Sequence, residues 1–127
     1  MPARYRDDLQ ALCAGRFTVT KHPHGCLMVF PHPHWENFRN QLASSAGSMI
    51  EAKRMFLGNA DDVEWDGTSR VLIRPELRAW AGLVDDHRDV MLLGMGSHFE
   101  LWHAPVRAAR EQEFRVLAAA ALDNMVY

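Results

Sequence analysis

Five side chains with metal-ligand chemistry crowd one short stretch of this 127-residue chain: His22, His24, Cys26, His32 and His34. Imidazole and thiolate are what zinc and copper take from proteins, so two His-x-His pairs around a thiol could hold such an ion. Spacing argues against convergence. If residues 17–22 and 26–30 form a hairpin, the first pair lies in its turn and the second roughly 20 Å away along the strand. Only another subunit could then close the set. Each pair also adjoins a proline, which favours an extended turn over a closed cage. The histidines are assigned to loops and no metal ligand is assigned; a metal-binding protein built on His22, His24, His32 and His34 stays open as an alternative.

No catalytic constellation stands out. Ser44, Ser45, Ser48, Ser69 and Ser97 sit in turn-like stretches without the Gly-x-Ser-x-Gly setting of a nucleophile elbow. Gly94-Met95-Gly96 lacks the third glycine and the helix start of a phosphate-binding loop. Asp61-Asp62 and Asp85-Asp86 are paired carboxylates in loop-like positions, where acid–base work would need burial that nothing here promises. The chain is read as a non-enzyme, with no cofactor and no small-molecule substrate.

The remaining reactive type is arginine. Only Lys21 and Lys53 are lysine, so the other twelve of the 14 basic residues are arginine. Arginine suits bidentate contact with phosphate and guanine edges, so a local patch could meet DNA although the formal charge is −2. Genomic base composition would produce the same bias. Apolar residues make up 48%, enough for a core. No apolar run reaches the ~18 residues of a membrane span, and the first ten residues show no secretory pattern. Cys13 and Cys26 read as buried thiols, and the expected compartment is the cytoplasm.

The elements that must position these groups are short. Helices are expected over 2–14, 34–43, 49–57, 75–81 and 105–122, from proline starts, apolar residues at helical spacing and glycine stops. Strands are expected over 17–21, 26–30, 62–65, 70–73, 90–93 and 98–102, with Asp66-Gly67 as a hairpin signal. The aromatic residues Trp35, Phe38, Phe56, Trp65, Trp80, Phe99 and Trp102 are assigned to packing.

Part of this order is written twice. Residues 26–33 (CLMVFPHP) lie over 98–105 (HFELWHAP), and Pro2-Ala3-Arg4-Tyr5-Arg6 lies over Pro75-Glu76-Leu77-Arg78-Ala79. The second copy is preceded by a strand, the Asp66-Gly67 turn and another strand, while the first is preceded only by Met1. Such units cannot bury both faces alone and call for a partner copy. The expected organisation is a first repeat over 1–46, a connecting helix over 47–60, a second repeat over 61–104 and a C-terminal helix over 105–127.

In order along the chain, Leu57-Gly58-Asn59-Ala60, Asp66-x-x-x-Arg70, Val71-Leu72-Ile73-Arg74-Pro75, Leu77-Arg78 and Ala81-Gly82-Leu83 are followed by Val90-Met91-Leu92-Leu93-Gly94 and Phe99-Glu100-Leu101-Trp102. Together with residues 2–6, 26–31 and Trp35 in the first half, this resembles the MraZ family of bacterial transcriptional regulators, of the swapped-hairpin AbrB-like class. The resemblance implies an α+β fold of duplicated swapped-hairpin AbrB-like β-barrel units with flanking helices. It implies a ring oligomer, cytoplasmic and nucleoid-associated, that binds double-stranded DNA at repeated promoter boxes. It further implies repression of the division and cell-wall gene cluster, its own promoter included. Family members carry an Asp-x-x-x-Arg motif in each half. Here the first would fall upstream of Pro2, so Met1 is expected to match an internal methionine of longer members.

The residues expected nearest DNA are Arg70 and Arg74, with Asp66 orienting Arg70, and then Arg4 and Arg6, with Arg78 beside them. A tight turn would present Arg70 at a strand start, and a carboxylate four residues earlier could hold its guanidinium across the hairpin and limit the entropy lost on binding. The alternative role for that pair is to fix the turn or a subunit seam. An oligomeric scaffold without DNA binding is the other reading.

Overall fold

Proline sets the start of three helices, because its fixed φ and missing N–H fit the first turn. They are α2 (His32–Ala43), α4 (Pro75–Trp80) and α5 (Ala104–Ala109). The computed structural model describes residues 3–84 and 89–125. The other elements are α1 (Ala3–Cys13), β1 (Arg16–Lys21), β2 (Leu27–Pro31), α3 (Ile50–Gly58), β3 (Asp61–Glu64), β4 (Val90–Gly94), β5 (Phe99–His103) and α6 (Glu111–Leu122). A short 3₁₀ turn, Gly47–Met49, leads into α3. Pro2, Asp85-Asp86 and the last two residues lie outside the described residues. No described helix is long and apolar enough to cross a membrane.

The five strands form one antiparallel sheet in the order β3-β1-β2-β5-β4. Its middle seam carries a symmetry that the repeated runs foreshadow. When CLMVFPHP is laid over HFELWHAP, Met28 and Glu100 are equivalent, and Met28 pairs with Glu100 across the seam. Leu27 pairs with Leu101 and Val29 with Phe99, so the register is mirrored about that point. Strand β3, from the second half, pairs with β1 of the first, Phe17 opposite Val63. The two halves thus share a single α+β layer structure.

Strand period sorts the core onto both faces. Phe17, Val19, Leu27 and Val29 point one way, packed with Leu9 and Cys13 of α1 and with Leu77, Ala81 and Leu83 at α4. Met28 and Phe30 point the other way, against Trp35 and Phe38 of α2 and Phe56 and Leu57 of α3. Two buried threonines share that second face and are satisfied there. Thr18 Oγ1 donates to Asp62 at 2.7 Å, and Thr20 Oγ1 donates to the Phe56 carbonyl at 2.7 Å.

Two expectations need correction. Residues 70–73 are not a strand: after the turn the chain runs as an irregular arm into α4. Val71 and Ile73 pack on the α1/α4 core while Leu72 is 84% exposed. The alternation is strand-like, but the side chains are spent on the core and the backbone joins no ladder beyond Arg70. The helix expected over 105–122 breaks at Arg110, whose φ of −105° and ψ of 8° end α5 and begin α6. There the Arg110 guanidinium donates to the His24 carbonyl and lies over the ring of Phe114, its i+4 neighbour at the start of α6.

Candidate nucleic-acid interface

The Asp66 loop closes over three residues with the bonding of a hairpin turn, although no second strand follows it. The Asp66 amide donates to the Arg70 carbonyl at 2.8 Å, and the Ser69 amide to the Asp66 carbonyl at 2.9 Å. Ser69 has φ of +61°, the left-handed position that follows a type I turn in such loops. Asp66-Gly67 therefore signalled a turn, but of a longer kind than the two-residue form it favours.

Asp66 Oδ1 organises this loop. It accepts from the Thr68 amide at 2.9 Å, the Thr68 hydroxyl at 2.8 Å and the Arg70 amide at 2.9 Å. These bonds, the Arg70 amide first and the Thr68 hydroxyl next, hold its carboxyl below the ordinary range. The expected carboxylate–guanidinium clasp is replaced by a carboxylate–amide clasp. Arg70 is exposed, and no ion pair involves it among the described residues. Its guanidinium is thus presented from a loop whose backbone is fixed.

The other arginines differ. Arg74 is half-buried; its Nη2 donates to the Asn59 carbonyl at 3.2 Å and its Nε lies 3.9 Å from Glu76. That ties the arm to the end of α3. Arg74 and Arg78 line a groove with Leu72 and with Asp61, Asp62 and Glu64 of β3, so their charge is locally offset. Arg4 and Arg6 are exposed on α1, with the Arg4 guanidinium 4.8 Å from the Tyr5 ring centroid. Among the described residues, no hydrogen bond or ion pair links either of them to Arg70. Thr68, which sequence reasoning passed over, is the second member of the clasp; the Asp-x-Thr spacing of an Asx turn was the available signal.

The histidine pairs part company, and the expectation that all four lie in loops is corrected for the second pair: Pro33 at the helix start draws His32 and His34 into the first turn of α2. His32 Nδ1 lies 3.3 Å from Thr18 Oγ1 and its Nε2 3.1 Å from Glu36. His34 is half-buried and lines a shallow hollow with Pro31 and Phe99. His22 opens a loop built like that of Asp66: its amide donates to the Cys26 carbonyl at 3.0 Å, and its Nδ1 accepts the His24 amide at 3.0 Å. Gly25, with φ of +91°, holds the left-handed place.

A family model described as "MraZ protein, putative antitoxin-like" matches residues 55–117. Among curated proteins, a "Transcriptional regulator MraZ" of Variovorax paradoxus (strain S110) is 57% identical over 113 residues, 89% of this chain and 78% of that protein. One of Janthinobacterium sp. (strain Marseille) is 56% identical over 125 residues, 98% of this chain and 82% of that protein. One of Methylibium petroleiphilum is 59% identical over 113 residues, 89% of this chain and 75% of that protein.

Proposed function

This chain belongs to the MraZ family, and from that premise we propose that it is a transcriptional regulator that binds double-stranded DNA through Arg70. The relatives' shared name supports regulation of transcription. One observation carries the DNA reading: an exposed arginine, free of ion pairs among the described residues, stands on a loop that its own Asp66 locks. A locked loop loses little entropy on binding, and one guanidinium per copy neutralises about one phosphate.

A single copy offers few such contacts, so the reading includes assembly. Copies arranged in a ring would present repeated arginines to repeated promoter boxes, and effective concentration would turn weak contacts into tight binding. The regulated promoter is then that of the division and cell-wall gene cluster, repressed together with the protein's own gene, in a nucleoid-associated cytoplasmic pool. Two repeats over 1–46 and 61–104, joined through 47–60 and followed by 105–127, are the proposed units of that assembly. Arg4, Arg6 and Arg78 are assigned supporting roles along the backbone, and Arg74 positions the arm.

The test is binding of promoter DNA by fluorescence anisotropy across a salt series, for the wild type and Arg70→Ala. An unchanged affinity and salt slope removes Arg70 from the interface. The scaffold reading draws on the net charge of −2 and the acidic groove beside Arg74. It requires intact assembly with no promoter binding at low salt.

A further inference from the structure

We propose that His22, Cys26 and Glu100 form a transition-metal site whose chemistry fits zinc. Their ligand atoms all lie within 4.8 Å of one another, and His22 Nε2 is already 3.5 Å from Glu100 Oε2. Zinc bonds of about 2.0–2.3 Å at tetrahedral angles separate ligand atoms by roughly 3.3–3.8 Å. Closing on an ion therefore needs a contraction of about 1 Å, within reach of side-chain rotation. Imidazole, thiolate and carboxylate leave one corner for water. Magnesium and calcium, which take oxygen ligands, are disfavoured by the sulfur. Thiolate and carboxylate together balance the dication.

Sequence spacing alone could not assemble this set. His22 and Cys26 face each other across the β1–β2 loop, while Glu100 arrives from β5 in the second half of the chain, on the strand that pairs with β2. Outer bonds brace the set, two through the backbone and one at a ligand side chain. Trp80 Nε1 donates to the carbonyls of His22 and Cys26 at 3.0 and 3.1 Å, and Trp102 Nε1 donates to Glu100 Oε1 at 3.0 Å. Oε2 is left to face the imidazole. The Trp102 bond orients a ligand side chain directly, as outer partners do in metal sites, while the Trp80 bonds fix the backbone that carries the other two. Cys26 is fully buried, while the side chains of His22 and Glu100 keep 20% and 13% exposure, which gives an ion an entry.

The protons balance simply. With the His24 amide on Nδ1, the imidazole proton sits on Nε2. Metal capture moves that proton to Nδ1, releases the His24 amide to water and sends the Cys26 thiol proton to solvent. Burial already favours the neutral His22 ring. Burial also pushes the Cys26 thiol up to about 12, and a coordinated dication is the agent that ionises such a thiol. The bound ion would tie the first half's loop to the second half's strand.

The test uses the purified full chain, titrated with Co²⁺ as an optical probe and back-titrated with Zn²⁺, alongside thermal melts. The expected result is one Co²⁺ per chain, a near-ultraviolet thiolate-to-cobalt band, displacement by Zn²⁺ and a raised Tm. Cys26→Ser should lose the band and bind at least about tenfold more weakly, while His34→Ala should bind as the wild type does. Should Cys26→Ser fail to fold, Glu100→Gln decides, since its Oε1 still accepts from Trp102: tenfold weakening supports the site and unchanged affinity overturns it. A plain imidazole–carboxylate contact predicts no thiolate band and an unmoved Tm. Either result, or a band that survives in folded Cys26→Ser, overturns the assignment. The outcome is independent of DNA binding.

Discussion

Asp66 holds Arg70 by its backbone, with Oδ1 2.9 Å from the amide nitrogen, and leaves the guanidinium unclasped. The distinction decides what each substitution does. Asn keeps an oxygen acceptor for the three bonds, whereas Ala removes it. Asp66→Asn is expected to bind promoter DNA within about threefold of wild type, and Asp66→Ala about tenfold more weakly, as the loop loosens. Were the carboxylate charge the operative feature, Asn would fall as far as Ala. Anisotropy titrations of the two variants separate these cases.

Arg70→Ala should act differently. Removing one phosphate contact per chain is expected to weaken binding roughly tenfold and to lower the slope of log affinity against log salt by about one for each copy engaged. Arg74→Ala is expected to lower Tm first, because its guanidinium holds the Asn59 carbonyl.

The same carboxylate sets a pH signature. The Asp66 carboxyl titrates below its ordinary 3.8 in the folded chain. The unfolded chain therefore binds more protons in that window, so this contribution is complete above the ordinary value. It is lost as pH falls through the lower folded value. The stability gap between wild type and Asp66→Asn should be flat above about pH 5 and shrink below pH 4, in denaturant melts run from pH 6 to pH 2.

Much of this arrangement was legible. Helix starts at Pro33, Pro75 and Pro105 follow from backbone geometry alone, and the turn pairs His22/Cys26 and Asp66/Arg70 coincide with breaks in apolar patterning. What stayed hidden depends on distant partners. The run 70–73 has strand composition, but its apolar side chains found a core before its backbone found a neighbour. Arg110 is a good helix former, yet the helix breaks at it, where its side chain also reaches the carbonyl of His24, 86 residues away. Glu100 gave no sign of meeting His22, since the repeat alignment predicts likeness between the halves rather than which residues touch.

Among the described glycines, Gly15 leaves the least room for a side chain. It has φ of +76°, and a Cβ there would lie 1.9 Å from Trp65 Nε1. Its carbonyl also accepts the Trp65 amide at 2.9 Å, joining the α1–β1 turn to the end of β3. Gly15→Ala combines backbone strain with overpacking and is expected to cost about 2–4 kcal/mol in urea unfolding. In Gly15→Ala/Trp65→Ala the steric part vanishes and the backbone part remains. The glycine change on the Trp65→Ala background should therefore cost about 1 kcal/mol.

Assembly has its own handle in α6. Phe114 turns inward against Trp102, but Val116, Leu117 and Leu122 are 58%, 53% and 48% exposed. These side chains point outward on different sides of the helix and are already about half covered, so burying each between copies is favourable by about 1 kcal/mol, and α6 is taken as a seam of the proposed ring that neighbouring copies would enclose. Leu117→Glu removes no described core contact and places a charge on the exposed surface of α6. Tm at high dilution should stay within about 2 °C of wild type, since exposed substitutions shift stability by about 0.5 kcal/mol. Light scattering should show smaller particles, and promoter affinity should fall with the loss of multivalency while the single-copy salt slope persists. If the particles keep their mass, α6 is not the seam and the contacts between copies lie on another face.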